Sequence, residues 1–226
     1  MAEIAKKLLK GKLPFIIFFL VALLLYSYRL DRVPVHLNQD ELEFSLNAYS
    51  ISRGLRDASG DFLPFYFQHL GSFWATPIVV YLTAIFLRFL PLSEITIRLS
   101  SVFVGVGSIL LIMLLVEKIF KNRFLALLSG LLGLTTPVLF INSRLLMDII
   151  YTIPFTLLWL IFLKDFLDRK RYISLFSAGL ALGIGIHSYH AAKIMMPIYF
   201  LVSLPVLGQE IRKNLKVLGV FVVCDL

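Results

Sequence analysis

Apolar residues gather into runs at about 13–28, 73–90, 97–116, 124–141, 149–163, 172–189 and 195–207, with another starting near 215. A hydrocarbon core takes about 20 helical residues, so most of these runs are long enough to cross, and the shorter ones can borrow flanking residues. The only long polar interval lies between the first two runs. It opens with Asn38-Gln39-Asp40-Glu41 and passes through Arg53-Gly54. Glycines inside the runs, Gly105 and Gly107, Gly130 and Gly133, Gly179 and Gly183, read as close helix contacts. None follows a strand, so none predicts a phosphate-binding loop.

Composition agrees with the pattern. With 59% hydrophobic residues and a mean hydropathy of +0.87, the chain has more apolar surface than a soluble domain can bury. The fold class expected is an all-α, polytopic membrane protein. Lys6, Lys7, Lys10 and Lys12 precede the first run and no small-residue cleavage site follows it, which predicts an uncleaved signal anchor. Cys224 is the only cysteine, which excludes an internal disulfide and a multi-cysteine metal site. The net charge of +8 sits in short clusters between apolar runs, where the positive-inside bias accounts for it without a nucleic-acid partner.

Those clusters also count crossings. Beyond the N-terminal lysines they are Lys118, Lys121 and Arg123; Lys164, Arg169, Lys170 and Arg171; and Arg212, Lys213 and Lys216. If all lie in the cytoplasm, an even number of spans must separate neighbours. The first interval holds three candidates, so one of them must not cross. Residues 73–90 carry Trp74, Tyr81 and Arg88 as interfacial anchors and Pro77 near their start, which predicts a juxtamembrane or re-entrant helix; an ordinary span with one basic loop on the other side is the alternative. The expected organisation is a single transmembrane module. It has a first span at 13–30, an extracytoplasmic loop at 31–96 with the juxtamembrane helix at 73–90, and the remaining spans over 97–226. The last run stops at Asp225-Leu226 without completing a crossing, from which a fragment or truncated product is expected.

More than half of the 14 acids, Asp40, Glu41 and Asp148 among them, then fall outside. Asp40 starts a segment with Leu42, Leu46 and Tyr49 on one face, so it reads equally as the N-cap of an amphipathic helix with Glu43 in the first turn. A second acid, Asp148, reaches another outer surface after Asn142 and Arg144. Ionisable residues at that depth generally have a partner or a function. Arg144 and Asp148 are four apart and could form a local ion pair. His187, Tyr189, His190 and Lys193 cluster where another run emerges. They read either as a polar loop with a snorkelling lysine or as donors to a phosphate.

The interval 33–65, with Pro34, Asp40-Glu41, Ala48, Gly54, Gly60 and Pro64, resembles the first outer loop of the C-type glycosyltransferases. The branch is that of the dolichyl-phosphate-mannose-protein mannosyltransferases and lipid A aminoarabinose transferases. Ile97-Arg98-Leu99, Ser143-Arg144 followed by Asp148, and Gly185 through His187-Ser188-Tyr189 to Lys193 continue the resemblance over nearly the whole chain.

That resemblance implies an inverting sugar transferase in the cell membrane, its N-terminus cytoplasmic and its active site on the other face. The donor would be a polyprenyl-phosphate sugar and the acceptor a hydroxyl on protein, lipid or glycan. An interfacial helix follows the first loop acid in that family. The resemblance carries the catalytic base to Asp40, with Glu41 beside it, and the second acid to Asp148. A phosphate leaving group needs positive charge, for which Lys193 and His190 are the candidates, with Arg98 and Arg144 after them. A divalent metal ion, if one is used, would sit at Asp40 and Asp148. A transporter lined by Asp148, Arg144 and the histidines, or a non-catalytic membrane scaffold, remains the alternative, although no paired, interrupted halves are evident.

Overall fold

The computed structural model describes residues 2–69, 71, 73–214 and 216–222, and the side chains among them except those of residues 2–12, 69, 209, 216, 218 and 222. The N-terminal lysine side chains, Leu215, Cys224 and Asp225-Leu226 lie outside that description. In chain order the elements are α1 (Ala2–Ser27), α2 (Gln39–Gly54), β1 (Phe67–His69), β2 (Phe73–Ala75) and α3 (Pro77–Phe89). Then follow α4 (Glu94–Phe120), α5 (Arg123–Thr135), α6 (Pro137–Ser143) and a 3-10 turn (Asp148–Tyr151). The chain continues through α7 (Thr152–Arg169), α8 (Tyr172–Gly185), α9 (Ala192–Lys213) and α10 (Lys216–Val222).

The protein is mostly helical, with one small exception to the all-α expectation. β1 and β2 pair antiparallel, Gln68 opposite Trp74, around Gly71 at φ +76°. Aromatic side chains suit an extended backbone, and glycine takes the left-handed conformation at no steric cost.

Two segments depart from the apolar pattern, both at prolines. Residues 73–90 are not one helix: 73–75 are strand, and α3 begins at Pro77, whose missing N–H is no loss at a first helical position. Residues 124–141 are bent by 63° between α5 and α6, where Pro137 starts the second helix. Among the described residues α4 and Asp148–Arg169 are long and apolar enough to cross a membrane, and the bent α5–α6 pair makes a third if it counts as one span. Leu13–Ser27, α3, α8 and Ala192–Gly208 are apolar but shorter.

Side-chain contacts sort the helix ends into two groups. Lys118 Nζ donates to Asp165 Oδ1 at 2.7 Å, Ser174 Oγ donates to Asp165 Oδ2 at 2.6 Å, and Lys170 pairs with Glu210 at 3.1 Å. The ends of α4, α7 and α9 and the start of α8 therefore share one end of the bundle, which carries Lys118, Lys170 and Lys213. At the opposite end Thr76, at the start of α3, hydrogen-bonds Asp148 and the Ser188 carbonyl. The far end of α3 leads within four residues into α4. Both ends of α3 therefore lie at the loop end. Its 13 residues extend about 20 Å, well under the hydrocarbon thickness. Arg88 Nη1 donates to the Ser52 carbonyl at 3.0 Å, which sets the C-terminal ends of α2 and α3 together.

Three apolar clusters fill the interior: α2, α3 and the 3-10 turn around Phe44, Val79 and Ile150; α1, α4 and α5 around Tyr26, Val106 and Met113; and α7–α10 around Trp159, Leu182 and Met196. Gly105 lets α6 approach α4 so closely that a Cβ there would stand 1.8 Å from Ser143 Oγ and 2.5 Å from its Cβ. Gly130 faces Met113 in the same way. Gly107 has nothing within 4 Å, so the close-contact expectation does not extend to it; it lies about 200° around the helix from Gly105.

Candidate active site

Two arginines hold the segment that leads from α1 into the site. Arg98 is wholly buried in the second turn of α4. Its five N–H groups reach the carbonyls of Leu30 (3.0 Å), Pro34 (2.8 Å) and His36 (2.6 Å) and both oxygens of Glu41, Nε to Oε1 at 2.8 Å and Nη2 to Oε2 at 3.1 Å. Arg144, just after α6, donates to the carbonyls of Tyr26 (2.6 Å), Arg29 (3.3 Å) and Val33 (2.6 Å), with its guanidinium 5.2 Å from the Phe140 ring. Cations near a helix C-terminus satisfy carbonyls that the helix leaves unpaired, and Tyr26 is in the last turn of α1. The grip also maintains positive φ at Arg29 (+50°) and His36 (+59°), conformations that persist where the surroundings fix them.

Arg98 and Arg144, the candidates for a substrate phosphate after Lys193 and His190, here bond to the protein's own backbone and, for Arg98, to Glu41. The Arg144–Asp148 pair that their spacing would allow on a helix has no helical turn to form on, because α6 ends at Ser143 and the chain is not helical again until Asp148.

Glu41 is equally committed. The cap of α2 is Asn38 rather than Asp40: Asn38 Oδ1 accepts from the Glu41 N–H at 2.8 Å, and Glu41 Oε2 accepts from the Asn38 N–H at 3.1 Å. That reciprocal capping box satisfies two donors that a helix start otherwise leaves unpaired. Glu41 Oε1 also accepts the Leu146 N–H at 3.0 Å. A carboxylate with two backbone N–H partners and two bonds from Arg98 has no capacity left for a substrate, and it is fully buried. Asp40, one residue earlier and half-buried, is relieved of the capping role.

The Leu146 bond docks the first turn of α2 onto residues 146–148, where Asp148 lies. Thr76 Oγ1 contacts Asp148 Oδ2 at 3.3 Å and the Ser188 carbonyl at 3.2 Å, and Thr152 Oγ1 meets Ser188 Oγ at 3.1 Å. The 186–191 loop is thereby tied to Asp148. In it, His187 Nδ1 meets the Tyr66 hydroxyl at 3.0 Å and Phe65 packs edge-on against the imidazole at 4.7 Å, while Lys193 Nζ, in the first turn of α9, sits 4.7 Å from the Tyr66 ring centroid. Burial and the Lys193 ammonium hold His187 below the usual imidazole range, so at neutral pH it is uncharged. Lys193 and His190 are exposed beside it. The loop end thus collects Asp40, Asp148, a polar hydroxyl cluster and an exposed cation.

Tyr66 and Thr76 belong to this group and carry no sequence signal of their own. Their partners lie 121 and 72 residues away. Among the described residues no group of three or more His, Cys, Asp or Glu side chains is placed to hold a metal. A divalent ion at Asp40 and Asp148 would draw the rest of its shell from water and a substrate phosphate, a ligand set suited to magnesium.

One comparison with known proteins gives a match. The family described as dolichyl-phosphate-mannose-protein mannosyltransferase matches residues 75–224, well over half of the chain. The matched stretch includes Arg98, Arg144, Asp148 and Lys193 and begins after Asp40-Glu41. No curated protein and no solved structure matches.

Proposed function

This chain belongs to the dolichyl-phosphate-mannose-protein mannosyltransferase family, a group of membrane glycosyltransferases, and from that premise we propose that it transfers a sugar with inversion from a polyprenyl-phosphate donor to a hydroxyl acceptor. The reaction takes place on the extracytoplasmic face. Supporting that orientation, Lys118, Lys170 and Lys213 share one end of the bundle and Glu41 lies at the other, in line with the positive-inside bias. On this reading α2 and α3 rest at the outer surface and do not cross.

Asp40 is the base. Its carboxylate takes the acceptor proton as the hydroxyl oxygen attacks the anomeric carbon on the face opposite the phosphate. The carbon–oxygen bond to the phosphate breaks and polyprenyl phosphate departs, so a general acid is unnecessary. Negative charge grows on the phosphate oxygens, where Lys193 and His190 supply compensating positive charge and donors. His187, neutral and fixed by Tyr66, holds the loop that carries His190 and leads into the turn that carries Lys193. Asp148, braced by Thr76, orients the acceptor hydroxyl. Arg98, Arg144 and Glu41 fix the backbone so that Asp40 faces this chemistry.

The observation that carries the reading is the Glu41–Leu146 bond, which brings the turn bearing Asp40 against the segment bearing Asp148. The test is Asp40→Asn in proteoliposomes supplied with radiolabelled polyprenyl-phosphate mannose and a hydroxyl acceptor. Loss of a positioned base lowers turnover by about 10²- to 10⁴-fold with thermal stability unchanged. Undiminished turnover in a folded Asp40→Asn protein would remove Asp40 from the reaction.

A further inference from the structure

The C-terminal ends of α2 and α3 enclose a groove of about 520 Å³ that the transfer chemistry does not use. Leu55, Leu63, Ile85 and Phe89 line it, and so do Arg53 and Arg88. The apolar members are unusually open: Phe89 is 82% exposed, Ile85 55% and Leu55 52%. Side chains that open on a membrane protein meet acyl chains rather than water. No carboxylate lines the groove among the described residues. Asp57, in the following loop, turns inward and accepts from the Ser59 and Asp61 N–H groups.

The two cations are placed differently. Arg88 is anchored by one N–H to the Ser52 carbonyl, which leaves most of a five-donor fork along the groove. Arg53 lies 5.3 Å from the Tyr49 ring. An apolar slot with two guanidinium groups complements a phosphate carrying hydrocarbon chains, since guanidinium pairs with phosphate oxygens through parallel hydrogen bonds. Arg53 stands 13 residues beyond Asp40 on one straight helix, about 20 Å away. A lipid phosphate reacting near Asp40 is out of reach of this groove.

We infer that the groove binds an anionic phospholipid of the surrounding leaflet, its phosphate held by Arg53 and Arg88 and its acyl chain laid along Leu55, Ile85 and Phe89. The site fastens the α2–α3 pair to the membrane surface and is separate from the donor site.

Native mass spectrometry of the purified full chain, titrated with phosphatidylglycerol, phosphatidylcholine or undecaprenyl phosphate, tests this. The wild type and Asp40→Asn retain phosphatidylglycerol alike and at least tenfold more tightly than phosphatidylcholine. Arg53→Gln, which leaves the Arg88–Ser52 bond in place, weakens phosphatidylglycerol binding about tenfold, and Arg53→Gln with Arg88→Gln abolishes the headgroup preference. Equal retention by wild type and Arg53→Gln overturns the proposal. Equal affinity for the two phospholipids, or displacement of phosphatidylglycerol from the wild type by undecaprenyl phosphate but not from Arg53→Gln, overturns it as well.

Discussion

Replacing Arg98 by methionine tests whether the segment between α1 and α2 is held by charge. The substitution keeps an unbranched apolar stem in α4 but leaves Glu41, fully buried, without its cation, and strands the carbonyls of Leu30, Pro34 and His36. Removing one partner of a buried ion pair costs about 3–5 kcal/mol because the other charge stays uncompensated in a low dielectric. For a chain of this size 1 kcal/mol moves the midpoint by about 2–4 °C, so the expected loss is about 6–20 °C. The readout is apparent Tm in detergent at a fixed scan rate, which also serves where unfolding is irreversible. Glu41→Leu alone is expected to destabilise similarly, and Glu41→Leu with Arg98→Met much less than the two together, since the double change leaves no orphaned charge. A loss below about 1 kcal/mol for Arg98→Met, the scale of an exposed ion pair, or strict additivity in the double variant, would show that the pair does not hold this segment.

Two further outcomes follow from the geometry. Gly105→Ala forces a Cβ into Ser143 and is expected to cost about 1–3 kcal/mol as the α4–α6 contact opens; Ser143→Gly in the same chain restores the midpoint, and a lack of rescue refutes the contact. His187 titrates below its unfolded value near 6.5, so the unfolded chain takes up the proton first as pH falls. The stability due to neutral His187 is complete above that value and is lost as pH drops below it. Between pH 7.5 and 5.5 the wild-type midpoint therefore falls further than that of His187→Gln, and equal falls contradict the assignment.

Much of the frame was legible in the chain, because helices in lipid announce themselves by apolar length and basic ends by charge. Lys118, Lys170 and Lys213 do gather at one end. The cap of α2 lies two residues before Asp40: Asn38 and Asp40 are both good caps, and what selects Asn38 is Glu41 three positions on, able to return the bond. Arg98 and Arg144 stand after Lys193 and His190 as candidates because a phosphate leaving group needs positive charge. Their actual partners are mainly backbone carbonyls, which every residue has and no side-chain pattern marks. Pro137 was visible, yet an apolar run continuing on both sides concealed the bend. Tyr66 and Thr76 enter the site only through contacts with distant segments, beyond the reach of any local pattern.

The arginine clamp also dictates an order of events during synthesis. The strained stretch from Arg29 to His36 emerges early, but the guanidinium groups that secure it belong to residues 98 and 144, the latter reaching back 118 positions to Tyr26. At about 5–20 residues per second, the ribosome needs roughly 6–24 s to supply that last contact. Until then the loop keeps its carbonyls hydrated and Asp40 unplaced, so the turn that bears Asp40 matures only after the α6 bend has been made.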